Sequence, residues 1–417
     1  MKILLLGSGA REHALARALV NAPETTELVV APGNPGTAMI ATNFAIDPTS
    51  PVEAVELATQ MGADLVVVGP EAPLVAGVAD AVRQAGVPVF GPGAAAARLE
   101  GSKAFAKEVM AAAGVPTATA AVCATPEELS AALDRFGAPY VVKDDGLAAG
   151  KGVVVTSERD AALAHGRSCL ARQDGRVLVE EYLDGPEISL FCVCDGATVR
   201  PLAPAQDYKR VGDGDVGPNT GGMGSYSPLT WAPADLTEQV VREVAQPVVD
   251  EMARRGTSFT GLLYCGLALT GKGLRVVEFN VRFGDPETQV VLARLTSSLA
   301  QLLHAAATGR LAEVPAPTWR PEAAVDVVLA APGYPGAVTT GGLLTGLDAA
   351  EEVEGVHVLH AGTGFSDDGE LVATGGRVLS VVALGDDVQA ARERAYQAVG
   401  RLGLPGSHYR TDIAAGR

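Results

Sequence analysis

Residues 140–156, YVVKDDGLAAGKGVVVT, combine glycines and lysines in a pattern that suits polyphosphate binding. The glycines are Gly146, Gly150 and Gly152, and the lysines are Lys143 and Lys151. Glycines let a backbone turn tightly, and successive N–H groups in such a turn form an anion-binding nest. The lysines would add positive charge for the two ends of a polyphosphate. Since β-branched runs flank the glycines, we interpret this segment as a strand–loop–strand flap over a nucleotide triphosphate.

Two better-known phosphate loops do not match this segment. A Walker A loop needs four residues between its glycine and the Gly-Lys pair, then Ser or Thr and a helix. Here three residues separate Gly146 from Gly150, Gly152 follows Lys151, and a strand comes next. A protein-kinase loop has its lysine on the strand after the glycines, whereas Lys143 precedes them. An ordinary glycine-rich hairpin with incidental lysines stays an open alternative.

Residues 273–281, GLRVVEFNV, predict a strand that carries a metal site. Glu278 and Asn280 are two residues apart, so their side chains lie side by side on one face. Two oxygen donors suit Mg²⁺, which keeps several waters and binds substrate phosphates through few protein ligands. Polar residues on an exposed strand face are the alternative. We expect the opposite face to carry Val277, Phe279 and Val281.

Other segments could bind parts of a nucleotide. Lys103 lies near the start of a predicted helix over 101–116, where a bound anion is favoured; a solvated lysine is the alternative. A predicted strand over 177–181 runs into a turn whose backbone groups could meet an adenine edge. Glu187 could then accept from ribose hydroxyls. A plain surface turn is the alternative, and it would be the preferred interpretation if the flap were not nearby.

Residues 205–228 read AQDYKRVGDGDVGPNTGGMGSYSP. They are so polar and rich in glycine that we do not expect them to form part of the hydrophobic core. Loops of this length inside a compact domain are usually functional. We therefore expect a substrate loop rather than a disordered insert.

Composition excludes several classes of protein. The chain has 417 residues, of which 47 % are hydrophobic and 19 % charged, as expected of a soluble globular protein. A net charge of −17 argues against a nucleic-acid partner or an anionic membrane surface. The apolar run at the N-terminus is too short for a signal-peptide core, so we expect a cytoplasmic protein. We expect the five cysteines to be small core residues without a zinc site.

The first hundred residues predict the elements that position the N-terminal motifs. Short apolar strands at 3–6, 28–31, 65–68 and 87–90 alternate with alanine-rich helices, which indicates βαβ units and a parallel sheet. Ligands of such sheets bind beyond the carboxyl ends of the strands. The segment that follows the first predicted strand, GSGAREH, departs from the dinucleotide-binding pattern GxGxxG because Glu12 replaces the third glycine. That turn could still hold a phosphate at the helix N-terminus, with Arg11 as a forked donor.

The pattern as a whole predicts an α/β and α+β multidomain chain. We expect an N-terminal parallel-sheet, Rossmann-like domain, a two-part central region and, beyond the proline-rich linker 315–321, a small C-terminal α+β domain. In that last domain we predict strands at 324–330 and 378–384 and a helix at 388–400. It shows no catalytic constellation. The predicted domains are 1–103, 104–190, 191–318 and 319–417.

With these motifs in view, the chain resembles the ATP-grasp superfamily and, within it, the phosphoribosylamine–glycine ligase family. The resemblance runs nearly end to end, and RFGDPETQ together with PNTGGMG is its most specific part. It is carried by GSGAREHA at 7–14, APGNPGT at 31–37, VGPEAPLVAGVAD at 68–80, LEGSKAF at 99–105, KDDGLAAGKGV at 143–153, EEYLDGPE at 180–187, QDYKRVGDGDVGPNTGGMGSYSP at 206–228 and VEFNVRFGDPETQ at 277–289.

The resemblance implies a reaction in which ATP, glycine and 5-phosphoribosylamine give glycinamide ribonucleotide, ADP and phosphate through glycyl phosphate. It implies Mg²⁺ or Mn²⁺ as metal, small-molecule partners only and a monomer. Positioning and charge neutralisation would then drive catalysis, without a side-chain nucleophile. A different ATP-grasp carboxylate–amine ligase, a nicotinamide-dependent oxidoreductase and a nucleotide-sensing module stay open as alternatives.

The resemblance also implies roles for individual residues. The triphosphate would be held by Lys103, Lys143, Gly146, Gly150, Lys151 and Gly152, the adenine by Glu180, Glu181, Tyr182 and Leu183, and the ribose by Glu187. The metal would be held by Glu278 and Asn280. Phosphoribosylamine would be enclosed by Gly9, Arg11, Gly69, Glu71, Asp207, Lys209, Gly221 and Gly222. Glycine and the acyl phosphate would be oriented by Arg282 and Asp285, with Glu287 beside them; Lys151 joins Arg282 and Asp285 as a catalytic candidate.

The sequence departs from the family pattern at three places. Asp144 stands where a small apolar residue is usual, and we expect its side chain to point away from the face of Lys143. The segment 168–176 is shorter than in relatives and lacks their Phe-Gly loop. Ala414 stands where a glycine is usual.

Overall fold

A computed structural model gives the fold, and it describes residues 1–146, 152–173 and 175–416. The N-terminal part is a five-stranded parallel sheet in the order β3-β2-β1-β4-β5. Both faces of β1 are covered, since Leu4 and Leu6 belong to one buried cluster and Ile3 and Leu5 to another. Its strands are β1 (Lys2–Gly7), β2 (Glu27–Pro32), β3 (Thr42–Asn43), β4 (Leu65–Val68) and β5 (Val89–Phe90). Its helices are α1 (Ala10–Val20), α2 (Pro51–Met61), α3 (Glu71–Val75), α4 (Val78–Gln84) and α5 (Ala94–Gly101), with a 3-10 turn at Thr37–Met39.

A four-stranded antiparallel sheet follows, in the order β6-β9-β7-β8. Helix α6 begins after Ser102, whose hydroxyl accepts from the Phe105 amide at 3.1 Å, and ends at Gly114. The predicted strands on either side of the glycine-rich loop pair with each other as β7 and β8, so this prediction is confirmed. The elements are α6 (Lys103–Ala113), β6 (Ala120–Cys123), α7 (Pro126–Phe136), β7 (Tyr140–Asp144), β8 (Val153–Thr156), α8 (Arg159–Leu170) and β9 (Val177–Glu180).

The central sheet is antiparallel, in the order β11-β10-β16-β17. The register between strands β16 and β17 shifts by one residue between Gly266 and Leu267, where Val277 is the extra residue. This bulge corrects one prediction: Val276, not Val277, joins Phe279 and Val281 in the buried cluster, because the extra residue reverses the alternation of faces. Its strands are β10 (Glu187–Asp195), β11 (Val199–Pro201), β16 (Thr260–Thr270) and β17 (Gly273–Asn280). Around it lie α9 (Leu236–Val240), a π-helical turn (Val241–Ala245), α10 (Gln246–Arg254), α11 (Glu287–Arg294), α12 (Leu299–Ala307) and a 3-10 turn (Leu311–Glu313).

A third sheet, in the order β12-β15-β18-β22-β19, joins residues from the predicted substrate loop to the C-terminal part. The expectation that 205–228 holds no core is wrong for β15, which is buried throughout and pairs with β18. The strands of this part are β12 (Gln206–Asp207), β13 (Arg210–Gly212), β14 (Val216–Asn219), β15 (Gly224–Ser227), β18 (Ala323–Ala330), β19 (Val356–His360), β20 (Thr363–Phe365), β21 (Leu371–Ala373) and β22 (Arg377–Gly385). Two helices complete it, α13 (Leu347–Glu351) and α14 (Val388–Val399).

These sheets match the predicted fold class, while the domain limits stay a prediction; the third sheet includes strands from both sides of position 319. All five cysteines are buried and free, as expected. No helix in the described part of the chain is long and apolar enough to span a bilayer.

Candidate active site

A cleft of about 770 Å³ is lined by the β6–β9 sheet, by helix α6 and by the central sheet. It brings together most of the residues that the sequence singles out, although they are spread over the whole chain. Those that line it are Arg11, Glu71, Lys103, Lys143, Gly146, Gly152, Glu180, Glu181, Tyr182, Leu183, Glu187, Asp207, Lys209, Gly221, Glu278, Asn280, Arg282, Asp285 and Glu287. Gly150 and Lys151 lie outside the described residues.

Three predicted glycines do not line the cleft but pack behind it. A Cβ atom on Gly69 would lie 2.2 Å from Oε1 of Glu12, and one on Gly9 would lie 2.9 Å from Oε2 of the same carboxylate. Gly222 has φ +116°, and its Cβ would lie 2.3 Å from Cδ of Pro286. These positions need glycine for close packing, which is a different reason from ligand contact.

Glu180 is buried between two lysines. Its carboxylate oxygens lie 2.8 Å from Nζ of Lys143 and 3.1 Å from Nζ of Lys107. Lys143 also donates to the carbonyl of Val277 at 3.0 Å, so it links the two antiparallel sheets. Burial opposes its charge, but Glu180 and Glu278 outweigh burial and raise the pKa of Lys143. A cationic Lys143 is therefore held in place beside the Glu180 carboxylate.

The N-terminus of α6 is tied to the end of the flap strand. The Asp145 carboxylate accepts from the Ser102 hydroxyl and from the Ala104 amide, both at 3.0 Å. Lys103 donates from Nζ to the carbonyl of Gly146 at 3.1 Å. These contacts hold the amino group of Lys103 at the wall of the cleft, while the Asp145 carboxylate occupies the N-terminus of the helix.

Glu278 and Asn280 lie side by side on β17, opposite Gly266 and Tyr264. Burial disfavours the charged form of Glu278, but Lys209, Lys143, Lys103 and Arg282 outweigh it and lower its pKa. The group is thus an ionised carboxylate next to an amide oxygen, which is the hard donor set that Mg²⁺ or Mn²⁺ prefers. Within 1–146, 152–173 and 175–416, no group of three or more His, Cys, Asp or Glu side chains could hold a metal, so further ligands would have to come from phosphates and water.

Lys209 connects the segment 205–228 to the start of strand β10. Its amino group is paired with the Glu187 carboxylate. Burial opposes the charge of Lys209, but Glu187 and Asp207 raise its pKa well above the ordinary value. Burial raises the pKa of Asp207 to about 7, with Lys209 opposing and Glu287 and Glu187 reinforcing the shift. Asp207 can therefore change protonation near neutral pH.

Two arginines at the other end of the cleft are held by carboxylates. Arg282 lies 3.3 Å from Glu71 and 3.0 Å from Glu100, and these carboxylates outweigh burial and raise its pKa. Arg11 pairs with Glu12 at 2.6 Å and donates to the carbonyl of Phe283 at 3.0 Å. Glu12, which breaks the dinucleotide pattern, thus orients Arg11.

Asp285 is held by a side chain from the C-terminal part. Arg377 lies 3.2 Å from the Asp285 carboxylate and donates to the carbonyls of Asp285 and Gly221 at 2.7 and 2.8 Å. Burial opposes ionisation of Asp285, but Arg377 and Arg11 outweigh it and lower its pKa. The Glu287 carboxylate accepts from the hydroxyls of Tyr264 and Ser189 at 2.8 and 3.0 Å.

Sequence reasoning missed Glu12, Glu100, Lys107 and Arg377. Lys107 had a signal, because it lies four residues after Lys103 and so on the same helix face. Arg377 had none, since 92 residues separate it from Asp285. The C-terminal part shows no recognisable set of catalytic residues in its sequence, but it still contributes Arg377 to this site.

Two antiparallel sheets, one with a glycine-rich hairpin and one with a carboxylate–amide pair, line one nucleotide-sized cleft; this arrangement defines an ATP-grasp enzyme. The family profiles agree: the phosphoribosylglycinamide synthetase N domain matches residues 1–100, its ATP-grasp (A) domain 101–288 and its C domain 324–416. The chain belongs to the phosphoribosylglycinamide synthetase family.

Relatives extend over the whole chain. It is 62 % identical over 417 residues to phosphoribosylamine–glycine ligase of Streptomyces coelicolor, covering 100 % of this chain and 99 % of that one. It is 58 % identical over 418 residues to the ligase of the same name from Mycobacterium bovis, covering 99 % and 97 %. The crystal structure of phosphoribosylamine–glycine ligase from Thermotoga maritima is similar with a TM-score of 0.86 and 34 % identity, covering 99 % and 100 %.

Proposed function

We propose that this chain is an ATP-dependent carbon–nitrogen ligase that joins glycine to 5-phosphoribosylamine, giving glycinamide ribonucleotide, ADP and phosphate, a step of purine biosynthesis. The observation that carries the proposal is the convergence on one cleft of three cationic lysines, Lys103, Lys143 and Lys209, with the ionised Glu278. Such a cleft offers several positive groups to a triphosphate and a carboxylate to a divalent metal. Full-length relatives at 58–62 % identity carry the name of this activity.

The triphosphate would lie against the flap and helix α6. Lys103 and Lys143 would neutralise phosphate charge, and the glycines at 146–152, with Lys151, would bring backbone N–H groups close to it. The main chain of Glu180, Glu181, Tyr182 and Leu183 would meet the adenine, and Glu187 the ribose. Support comes from the described residues of this set, all of which line the cleft; Gly150 and Lys151 lie outside the described residues.

Glu278 and Asn280 would hold Mg²⁺ or Mn²⁺, which when bound neutralises charge on the transferring phosphate. The fit rests on the donor set, a carboxylate kept ionised by lysines and an amide on the same strand face.

Phosphoribosylamine would bind near Arg11, Glu71, Asp207, Lys209 and Gly221, with Gly9, Gly69 and Gly222 shaping the wall behind them. Glycine and the acyl phosphate would lie near Arg282, Asp285 and Glu287. The cationic Arg282, fixed by two carboxylates, suits an anionic group, and the ionised Asp285 suits the ammonium group of glycine.

The chemistry needs positioning rather than a protein nucleophile. A carboxylate oxygen of glycine attacks the γ-phosphorus of ATP, the bond to the β-phosphate oxygen breaks, and ADP leaves. The nitrogen of phosphoribosylamine then attacks the carbonyl carbon of glycyl phosphate; inorganic phosphate leaves with the bonding pair and the nitrogen loses a proton. Asp207, whose pKa burial raises to about 7, would take that proton.

We further propose that the protein acts as a cytoplasmic monomer on small molecules, without nucleic-acid or membrane partners. Its formal net charge of −17 opposes anionic macromolecules and surfaces.

ADP release with Mg-ATP tests the function when glycine and phosphoribosylamine are omitted in turn, the amine being generated in situ. ADP formation that requires both supports the ligase. Turnover with another carboxylate or amine would keep the ATP-grasp chemistry and replace the substrate. Thermal stabilisation by ATP without turnover would instead indicate a nucleotide-sensing module.

A further inference from the structure

The hairpin of strands β13 and β14, residues 210–219, lines the cleft without being part of the core. Every residue of the two strands is half-buried or exposed, and the strands form a two-stranded sheet of their own. Arg210, Asp215 and Asn219 nevertheless line the cleft. Because an isolated two-stranded hairpin is marginally stable in water, contacts from elsewhere in the chain must fix its position.

The C-terminal segment 410–414 supplies these contacts. Among the residues that the structure describes, the hydrogen bonds that leave the hairpin end on residues 410–412. Nη1 of Arg410 donates to the carbonyl of Arg210 at 3.1 Å and to Oδ1 of Asp215 at 2.7 Å. One guanidinium group therefore joins the first strand of the hairpin to its turn.

The tip of the hairpin is bound to the same segment. The Asp213 carboxylate accepts from the amide of Thr411 at 2.8 Å and also from its hydroxyl. The Gly214 amide donates to Oδ2 of Asp412 at 2.8 Å. Asp412 in turn accepts from Nε and Nη2 of Arg410 at 2.7 and 2.6 Å, so the hairpin and the guanidinium group share one carboxylate.

Arg410 is a buried cation, and its segment is anchored to helix α14. Its side chain is 1 % exposed, and its guanidinium carbon lies 4.9 Å from the centroid of the Tyr208 ring. Tyr396 on α14 donates from its hydroxyl to the Arg410 carbonyl at 2.7 Å and accepts from the Ile413 amide at 3.0 Å. A buried charge is costly unless it is paired, and one partner here is Asp215 of the hairpin. The proposed chemistry gives Arg410 no role.

We propose that Arg410 is a positioning residue that holds the hairpin 210–219 in place as a wall of the phosphoribosylamine site. Lys209 directly precedes the hairpin and Gly221 follows it closely, and both line the cleft. A shifted hairpin therefore displaces two proposed contacts to that substrate. The proposed triphosphate and metal groups lie on α6, β7 and β17 instead. The inference rests on the proposed function of the cleft.

Arg410→Gln is the main test, because it keeps a polar side chain but removes the charge and the forked donor. We expect KM for phosphoribosylamine to rise about 10- to 100-fold, since small displacements of binding groups cost that much, while kcat and KM for ATP stay near the wild-type values. Arg410→Lys keeps the charge and should recover part of the loss. A folded Arg410→Gln with an unchanged KM for phosphoribosylamine, or KM values for ATP and phosphoribosylamine that rise together, would overturn the proposal.

Two further variants complete the kinetic test. Arg401→Gln removes an arginine that is paired with Glu352 in the same part of the chain, so it is the matched control and should keep the wild-type constants. Asp213→Ala decides the question if Arg410→Gln does not fold, because Asp213 is exposed at the tip of the hairpin and contacts Thr411. It should raise KM for phosphoribosylamine selectively but by a smaller factor, since the contacts of Arg410 remain. An unchanged KM in that variant would then refute the positioning role.

Hydrogen exchange tests the hold of Arg410 on the hairpin without measuring activity. In the ligand-free protein, the amides of residues 210–219 should exchange faster in Arg410→Gln than in the wild type, whereas those of β16 should not change, because the hairpin opens locally. Arg401→Gln should exchange like the wild type. Unchanged exchange over 210–219 in Arg410→Gln would overturn the proposal even if the ligase activity is found. Faster exchange in a protein that does not use phosphoribosylamine would support the hold on the hairpin and reject the proposed function of the cleft.

Discussion

The carboxylate of Asp144 is paired with the guanidinium group of Arg172. Asp144 is buried at the end of the flap strand β7, whereas the side chain of Arg172, just beyond α8, is 62 % exposed. Both residues belong to departures from the family pattern, the unusual Asp144 and the short segment 168–176. The structure brings these departures into contact, and the positive charge of Arg172 offsets the negative charge of Asp144 at the end of β7.

Arg172→Ala should therefore weaken ATP binding more than it weakens the fold. Because the arginine is largely exposed, we expect a loss of only about 1 kcal/mol in the free energy of unfolding. The KM for ATP should rise several-fold, since Asp144 loses its partner, while the KM for glycine should change little. Denaturant unfolding and steady-state kinetics measure both quantities. The double variant Asp144→Asn/Arg172→Ala should recover the KM for ATP; a double variant as poor as Arg172→Ala alone would show that the pair does not matter.

Glu278→Gln should abolish most turnover while the protein stays folded. Even outer-shell partners of metal ligands contribute about 10- to 100-fold, so loss of a direct ligand should cost about 100-fold or more. The metal concentration needed for half-maximal rate should rise in the same variant. Glu238→Gln, at an exposed position, is the control for a simple loss of charge. Full activity of Glu278→Gln with unchanged metal dependence would mean that the metal site is wrongly placed.

The protonation of Asp207 should be visible in the pH profile. Its folded-state pKa is raised to about 7, so the carboxylate that could take a proton from the attacking amine forms only as pH rises through that value. We expect kcat/KM for phosphoribosylamine to increase through pH 7 in the wild type and to be low and flat in Asp207→Asn. The exposed Asp235→Asn serves as the reference. An unchanged rise in Asp207→Asn would assign the titration to another group.

The contact between α1 and β19 should make stability fall in acid. His13 accepts from the His360 amide at 2.9 Å, and burial, with nearby positive groups, lowers the pKa of His13 to about 3; burial lowers that of His360 to about 4. Because the unfolded histidines titrate near 6.5, the unfolded chain binds more protons below that pH. Stability is thus complete above pH 6.5 and is lost as pH falls toward 3.

From His13 we expect a loss of about 2–4 kcal/mol in the free energy of unfolding between pH 7 and pH 4. His13→Gln keeps an acceptor for the His360 amide but cannot be charged, so urea unfolding of this variant should depend less on pH over that range. An equally steep dependence would exclude His13 as the cause.

Ala414 carries backbone strain where the family pattern has glycine. Its φ is +56°, it is fully buried, and its amide donates to the Tyr208 hydroxyl at 2.9 Å. Ala414→Gly should raise the free energy of unfolding by about 0.5–1 kcal/mol, since relief of a left-handed conformation exceeds the entropy cost of glycine. Ala415→Gly, next to it but without a positive φ, should lower stability slightly. Thermal unfolding distinguishes the two, and destabilisation by both changes would refute the strain argument.

Several structural features of the fold and of the cleft could be predicted from local sequence. The alternation of apolar runs and helices predicted the parallel sheet, the glycine and lysine spacing predicted the hairpin of β7 and β8, and the Glu278–Asn280 pair predicted adjacent oxygen donors. Family comparison confirms the fold class and the ligase family that the motifs indicated. These features depend on residues within a few positions of one another, where the periodicity of strands and helices decides which side chains share a face.

What only the tertiary structure decided is which charges meet. Glu180 between Lys143 and Lys107, Arg282 between two carboxylates, and Arg377 on Asp285 join segments that lie far apart in sequence. The burial of β15 could not be predicted from local sequence either. A polar, glycine-rich strand becomes part of the core only because β18, about a hundred residues later, pairs with it. Local sequence determines the conformation of each element, whereas partners and pKa values depend on burial and on distances between elements that only the complete fold establishes.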